Sequence, residues 1–151
     1  MSLKLRVCLD TSVFSAYLDE RAPERRMETV EFWKRLHQYE VSTSELARKE
    51  LSRTPDLDLR DKLLKLLEGL TLHGVDSEAK SLARHYIQSG VFLPTMADDA
   101  LHVATAVMTR QDILLSWNFK HLVNRRRRAL VNQPNTARGL PTIEIVAPPE
   151  I

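Results

Sequence analysis

The residues of this chain best suited to chemistry are carboxylates far apart in sequence: Asp10, Glu50, Asp98 and Asp99. Asp10 ends a short apolar run, Leu5, Val7, Cys8 and Leu9. Such a run reads as a buried strand that delivers one charge to the edge of a sheet. In an open α/β sheet, ligands bind beyond the carboxyl ends of the strands, which is where Asp10 stands. The alternative reading of Asp10 is a helix N-cap, a position that aspartate favours. Several acids on one rim repel one another and persist only where a cation or a proton offsets them. Their hard oxygens suit Mg²⁺ or Mn²⁺, and Mg²⁺ keeps waters and bridges to phosphate.

An alternation of strands and helices must position these acids. After Asp10, the cap-type residues Thr11 and Ser12 lead into Val13, Phe14, Ala16 and Tyr17, a helix that packs back on the sheet. Pro23 starts a second helix with Met27, Val30, Trp33 and Leu36 as its core-facing stripe. Residues 39–43 read as a strand, and Ser44 then caps a helix over residues 45–53 that carries Glu50. Thr54-Pro55-Asp56 starts a leucine-rich helix that stops near Gly69. A third strand over 70–75 precedes a helix capped by Asp76 or Ser77, with Leu82, Ala83, Tyr86 and Ile87 on one face and Gly90 at its end. Thr95 opens the next helix, 97–109, which holds Asp98 and Asp99 and feeds a fourth strand over 112–118 ending at Asn118. A basic helix over 121–130 and a last strand over 142–146 complete the chain. The alternation predicts a parallel sheet covered by helices. Residues 1–151 show no repeat or linker and read as one domain, as their number suits.

Composition excludes several classes. No apolar run reaches the roughly 20 residues of a membrane span, and the N-terminus lacks a signal peptide's apolar core. The single cysteine, Cys8, falls in a core strand, which points to a reducing cytoplasm, and no Cys/His zinc spacing is present. The formal net charge of +2 hides an asymmetry. From Ile113 to Ile143 there is no acid, while Lys120, Arg125, Arg126, Arg127, Arg128 and Arg138 are basic. Such a run is a solvated face unless it flanks a site acting on phosphates. Aromatic residues make up only 6% of the chain, so composition gives base stacking little support.

Four stretches in order, Asp10-Thr11-Ser12, residues 44–51 (SELARKEL), residues 99–106 (DALHVATA) and residues 114–119 (LLSWNF), together resemble the PIN domain family of small metal-dependent nucleases, which includes VapC-type toxins. The resemblance spans roughly residues 3–146. It implies a three-layer α/β/α fold around a central, mainly parallel sheet, dependence on Mg²⁺ or Mn²⁺, and hydrolysis of RNA phosphodiesters. It also implies an antitoxin protein as a partner. Matched motif by motif, Asp10, Glu50 and Asp99 are the metal-holding acids. Asn118 stands in the fourth catalytic position, where the family often has an acid, so the site carries three formal negative charges and is expected to hold metal more weakly.

The neighbours of these residues have their own readings. Glu45 competes with Glu50, but it lies in the first helical turn, where the dipole favours acids, and the motif register selects Glu50. Asp98 falls three residues after Thr95, as the acid of a capping box does, leaving Asp99 as the ligand and Asp98 as its neighbour. His102 shares a helix face with Asp99 and reads as a packed histidine bonded to that acid. Thr11 and Ser12 orient the Asp10 carboxylate or hold a metal-bound water. His121 and Asn124 reach the same rim without an assigned role. Lys120 and Arg125 to Arg128 hold an RNA backbone through its phosphates, which positions RNA without reading its sequence. The leucines of residues 57–67 are either core or the seam of a homodimer. The competing readings are an inactive PIN-like module that binds RNA or protein, and a phosphotransferase with Asp10 as nucleophile. The second is disfavoured because Ser12 stands where such enzymes have a second acid.

Overall fold

A computed structural model describes residues 3–151. Five parallel strands form one sheet: β1 (Arg6–Leu9), β2 (Glu40–Ser44), β3 (Thr71–His73), β4 (Ile113–Leu115) and β5 (Glu144–Val146), in the order β3-β2-β1-β4-β5. Cys8 is paired with Ser42 on one side and with Leu114 on the other, so β1 is central. The helices are α1 (Thr11–Leu18), α2 (Pro23–Trp33), α3 (Glu45–Ser52), α4 (Leu57–Lys65), α5 (Ser77–Gln88), α6 (Ala97–Met108) and α7 (Arg125–Ala137).

Chain order and handedness place these helices. The chain moves outward through β1, β2 and β3, then crosses back to β4 and on to β5. Right-handed crossovers that travel in opposite directions put their helices on opposite faces of the sheet. Accordingly α1 packs on α2 and α3, while α5 packs on α6. The expected three-layer α/β/α architecture is therefore the fold, and every strand pair among the described residues is parallel.

Local chemistry sets most helix starts. Ser44, Asp56 and Asp76 accept from the backbone N–H of Ala47, Leu59 and Ala79, at 3.2, 3.1 and 2.9 Å. Each satisfies a donor that the first helical turn leaves orphaned. Gly90 closes α5 with φ +80°, a conformation that glycine adopts without steric cost.

Three local expectations need correction. The stripe on α2 is not Met27-Val30-Trp33-Leu36: Met27 is 62% exposed, and Thr29 and Phe32 are the buried residues. Three-residue steps drift about 60° around a helix each time, so a long stripe at that spacing leaves the core face. The capping box at Thr95 does not form, because residues Pro94–Met96 make a 3-10 turn that runs straight into α6 without a side-chain cap. The basic helix begins at Arg125, not at residue 121. Asn124 caps it, its Oδ1 accepting from Arg127 N–H at 2.8 Å.

The α5–α7 layer has one polar tie. Tyr86 is fully buried, and its hydroxyl donates to Asn135 Oδ1 at 2.5 Å, also in the core. Tyr86→Phe leaves that acceptor without its partner and is expected to cost about 1–3 kcal/mol in chemical denaturation. An unchanged unfolding midpoint would show that the tie contributes nothing.

Candidate active site

The end of β1 and the start of α1 share one residue. Asp10 is 4% exposed and extended (φ −84°, ψ 175°), and its Oδ1 accepts from Ser12 N–H at 2.9 Å, so it caps α1. The cap and the buried carboxylate are thus the same side chain, and the two readings of Asp10 do not compete. Ser12 Oγ also donates to Oδ1, and Ser116 Oγ donates to Oδ2. Trp117 N–H and Asn118 N–H donate in turn to Ser12 Oγ and Ser116 Oγ, at 2.8 and 3.0 Å. Ser116 N–H still donates to the Val146 carbonyl at 3.0 Å, but from Trp117 onward the chain hands its backbone donors to side-chain hydroxyls, so the strand does not run on to Asn118. Burial, the largest influence on Asp10, pushes its carboxyl above the usual range, against nearby His102 and the serine hydroxyls.

Glu50 projects from α3 toward the same edge. Its Oε1 lies 2.7 Å from His102 Nε2, and its Oε2 accepts from Thr11 Oγ1 at 2.9 Å. Thr11 therefore holds Glu50, where the sequence suggested Asp10; Ser12 alone of the pair orients Asp10. Burial pushes the Glu50 carboxyl up, but His102, Thr11 and Arg53 together outweigh it and hold it below the ordinary value. His102 is buried and bonds Glu50, not Asp99 as expected from their shared helix face. Burial opposes its charge, yet the bond to Glu50 and the charges of Asp10, Glu50 and Asp99 prevail and raise its pKa. One buried imidazole thus feels all three carboxylates.

Asp99 is half-buried and lies 2.9 Å from His121 Nδ1, while Asp98 is exposed and caps nothing. His121 is held in place by Asn118, whose Oδ1 accepts from His121 N–H at 2.9 Å. Asn118 thus bonds the loop that presents His121. His121 and Ser116 are the residues of the site to which the sequence reading gave no role. Among the described residues no three His, Cys, Asp or Glu side chains stand together as a ready metal-ligand cluster. Asp10 is engaged by hydroxyls, Asp99 by an imidazole, and Glu50 by both.

The basic run divides. Lys120, Arg125 and Arg126 are exposed. Arg127 turns inward, donating to the Val91 carbonyl and lying 4.5 Å over the Phe92 ring. Arg128 donates to the Ile145 carbonyl at 2.9 Å. The phosphate-holding role expected of all five cations is corrected for Arg127 and Arg128, which fasten α7 to its neighbours. Cys8 is buried, and its thiol is pushed up to about 12, mainly by burial, so it stays protonated and inert.

The PIN domain family model matches residues 7–118, from β1 to the asparagine that closes this site. The chain belongs to the PIN domain family. Solved structures of similar fold include FitAcB from Neisseria gonorrhoeae, with a TM-score of 0.61 and 16% identity, covering 96% of this chain and 99% of that one. VapC20 from Mycobacterium tuberculosis, described as a Sarcin-Ricin loop cleaving toxin, has a TM-score of 0.60 and 14% identity, covering 91% and 98%. VapBC2 from Rickettsia felis, bound to a promoter DNA fragment, has a TM-score of 0.57 and 12% identity, covering 95% and 98%. No curated protein matched this sequence. No helix among the described residues is long and apolar enough to cross a membrane.

The Glu50–His102 pair sets a pH dependence. The lowered Glu50 pKa contributes stability that is present above the ordinary carboxylate value and lost as pH falls through the folded one. The raised His102 pKa contributes stability that is full below about 6.5 and lost as pH rises through the folded value. In metal-free buffer, the stability advantage of wild type over His102→Gln is therefore expected to be largest near pH 6 and to shrink toward pH 9. An advantage that is flat or grows over that range would contradict a charged pair.

Proposed function

We propose that this PIN domain is a Mg²⁺- or Mn²⁺-dependent endoribonuclease, the toxin of a toxin–antitoxin pair, with RNA as substrate and an antitoxin protein as partner. The observation that supports the reading is the hydrogen bonding at one edge of the sheet: Glu50 bonds both Thr11, the residue after Asp10, and His102, which lies one turn beyond Asp99 on α6. Structural neighbours described as toxin–antitoxin complexes and as a toxin cleaving the Sarcin-Ricin loop support the same reading.

The donor set fits a hard divalent ion. It consists of carboxylate oxygens, the hard donors that such ions take. Asp10, Glu50 and Asp99 would hold the ion, which supplies a water of lowered pKa and positive charge against the phosphate. Ser12 and Ser116 keep the Asp10 carboxylate in one orientation. Thr11 does the same for Glu50. His121 fixes Asp99 and, with His102, offers an imidazole at the edge of the acidic site. Lys120, Arg125 and Arg126 hold the backbone of the RNA.

With single-stranded RNA and Mn²⁺, Asp10→Asn and Asp99→Asn are each expected to lose roughly 10²- to 10³-fold in cleavage rate, and a chelator is expected to abolish it. Equal rates in wild type and both variants, after nuclease-free purification, would overturn the assignment. RNA binding that is tight, metal-independent and without turnover would instead favour a binding module.

The division of the basic run is separately testable. Arg125→Ala and Arg126→Ala are expected to weaken RNA binding and each to lower the salt slope by about 1, with stability changed by no more than about 0.5 kcal/mol. Arg127→Ala is expected to lower stability, because its guanidinium satisfies a carbonyl and covers the Phe92 ring. Equal stability losses in all three would contradict the division.

A further inference from the structure

A cleft of about 670 Å³ opens between α1, the start of α2 and the loop after β4. That volume lies in the range of small-ligand sites. Ser12 and Asn118 line it, so it adjoins the carboxylates. Its outer wall is aromatic and cationic. Trp117 is buried and fixed, its Nε1–H donating to Thr29 Oγ1 at 2.9 Å. Phe119 stands edge-on to it, 6.0 Å between centroids at 68°, yet is 45% exposed. The Arg25 guanidinium lies 5.4 Å from the Trp117 centroid and 5.5 Å from that of Phe119. Arg25 and Lys120 form no ion pair with a described residue, whereas Asp19, the acid of this wall, is paired with Arg21 at 3.0 Å.

A half-exposed ring, a guanidinium over its face and an unneutralised ammonium beside it are the parts from which single-strand sites are built. Bases stack on the π-face, and the cations take the neighbouring phosphates. We propose that this cleft stacks one unpaired base of the RNA substrate against Phe119 and Arg25, with Lys120 on an adjoining phosphate. The stacked base sets which phosphodiester lies over Asp10, Glu50 and Asp99. This rests on the ribonuclease reading and adds to it a subsite for a single-stranded base beside the acids. Trp117 serves as the fixed backing of the platform.

The test is binding of single-stranded RNA carrying 2-aminopurine, with metal chelated so that no cleavage intervenes, by wild type, F119A, F119W and R25A. Wild type is expected to change the probe's fluorescence on binding. F119A is expected to weaken binding about 5- to 100-fold and to abolish that change, with F119W restoring both. R25A is expected to weaken binding and steepen no salt dependence. F119A that binds with wild-type affinity and an unaltered probe signal, from a wild type that binds and cleaves RNA, overturns the stacking site alone. A wild type that neither binds nor cleaves single-stranded RNA overturns both this proposal and the function it rests on. Sedimentation in which wild type dimerises and F119A does not, with equal RNA affinity, would assign the ring to a contact between copies and overturn the proposal.

Discussion

A carboxylate buried at the end of the central strand constrains everything around it. Asp10 has almost no contact with water, so its charge must be met by donors on the protein. Ser12 supplies them from α1, and Ser116 from the chain just beyond β4. Those bonds lock β1 to β4 at the point where the strand order reverses, since β1 leads outward to β2 while its other neighbour, β4, is reached only by the later crossover. That reversal is where open α/β sheets bind ligands. The requirement for burying one acid thereby also fixes the place of the cleft beside it, which Ser12 and Asn118 line.

The remaining acids follow from the same constraint. Glu50 and Asp99 arrive on helices from opposite faces of the sheet, and each is met by an imidazole, His102 or His121. His102 is the more buried of the two, and the bond to Glu50 with the neighbouring carboxylates raises its pKa despite desolvation. An arrangement built only for stability would gain by replacing these charges with apolar groups of similar volume. Their presence at the sheet edge is what the proposed cation site would use.

Much of this was legible in the sequence because the signals are local. Ser44 and Asp76 cap their helices through side chains three residues from the amide that they accept, a geometry that short motifs specify. Asp10, Glu50 and Asp99 stood out as acids placed at element ends within an ordered set of motifs. What escaped was set by tertiary geometry. His121 reaches Asp99 across 22 residues, through a turn that Asn118 organises. Ser116 looks like any strand-end hydroxyl until β1 lies beside it. Four consecutive arginines spread around α7, so two face neighbouring carbonyls and two face water, a division that periodicity sets only once the helix's start at Arg125 is known. The aromatic share of the chain is low, but Trp117 and Phe119 fall together beside the acids.

In the proposed site Asp10, Glu50 and Asp99 serve one cation. Anomalous diffraction from a crystal soaked in Mn²⁺ measures this directly. A peak is expected within coordination distance of oxygens from all three carboxylates. A peak elsewhere, or none at that place with His102 still bonded to Glu50, would contradict it.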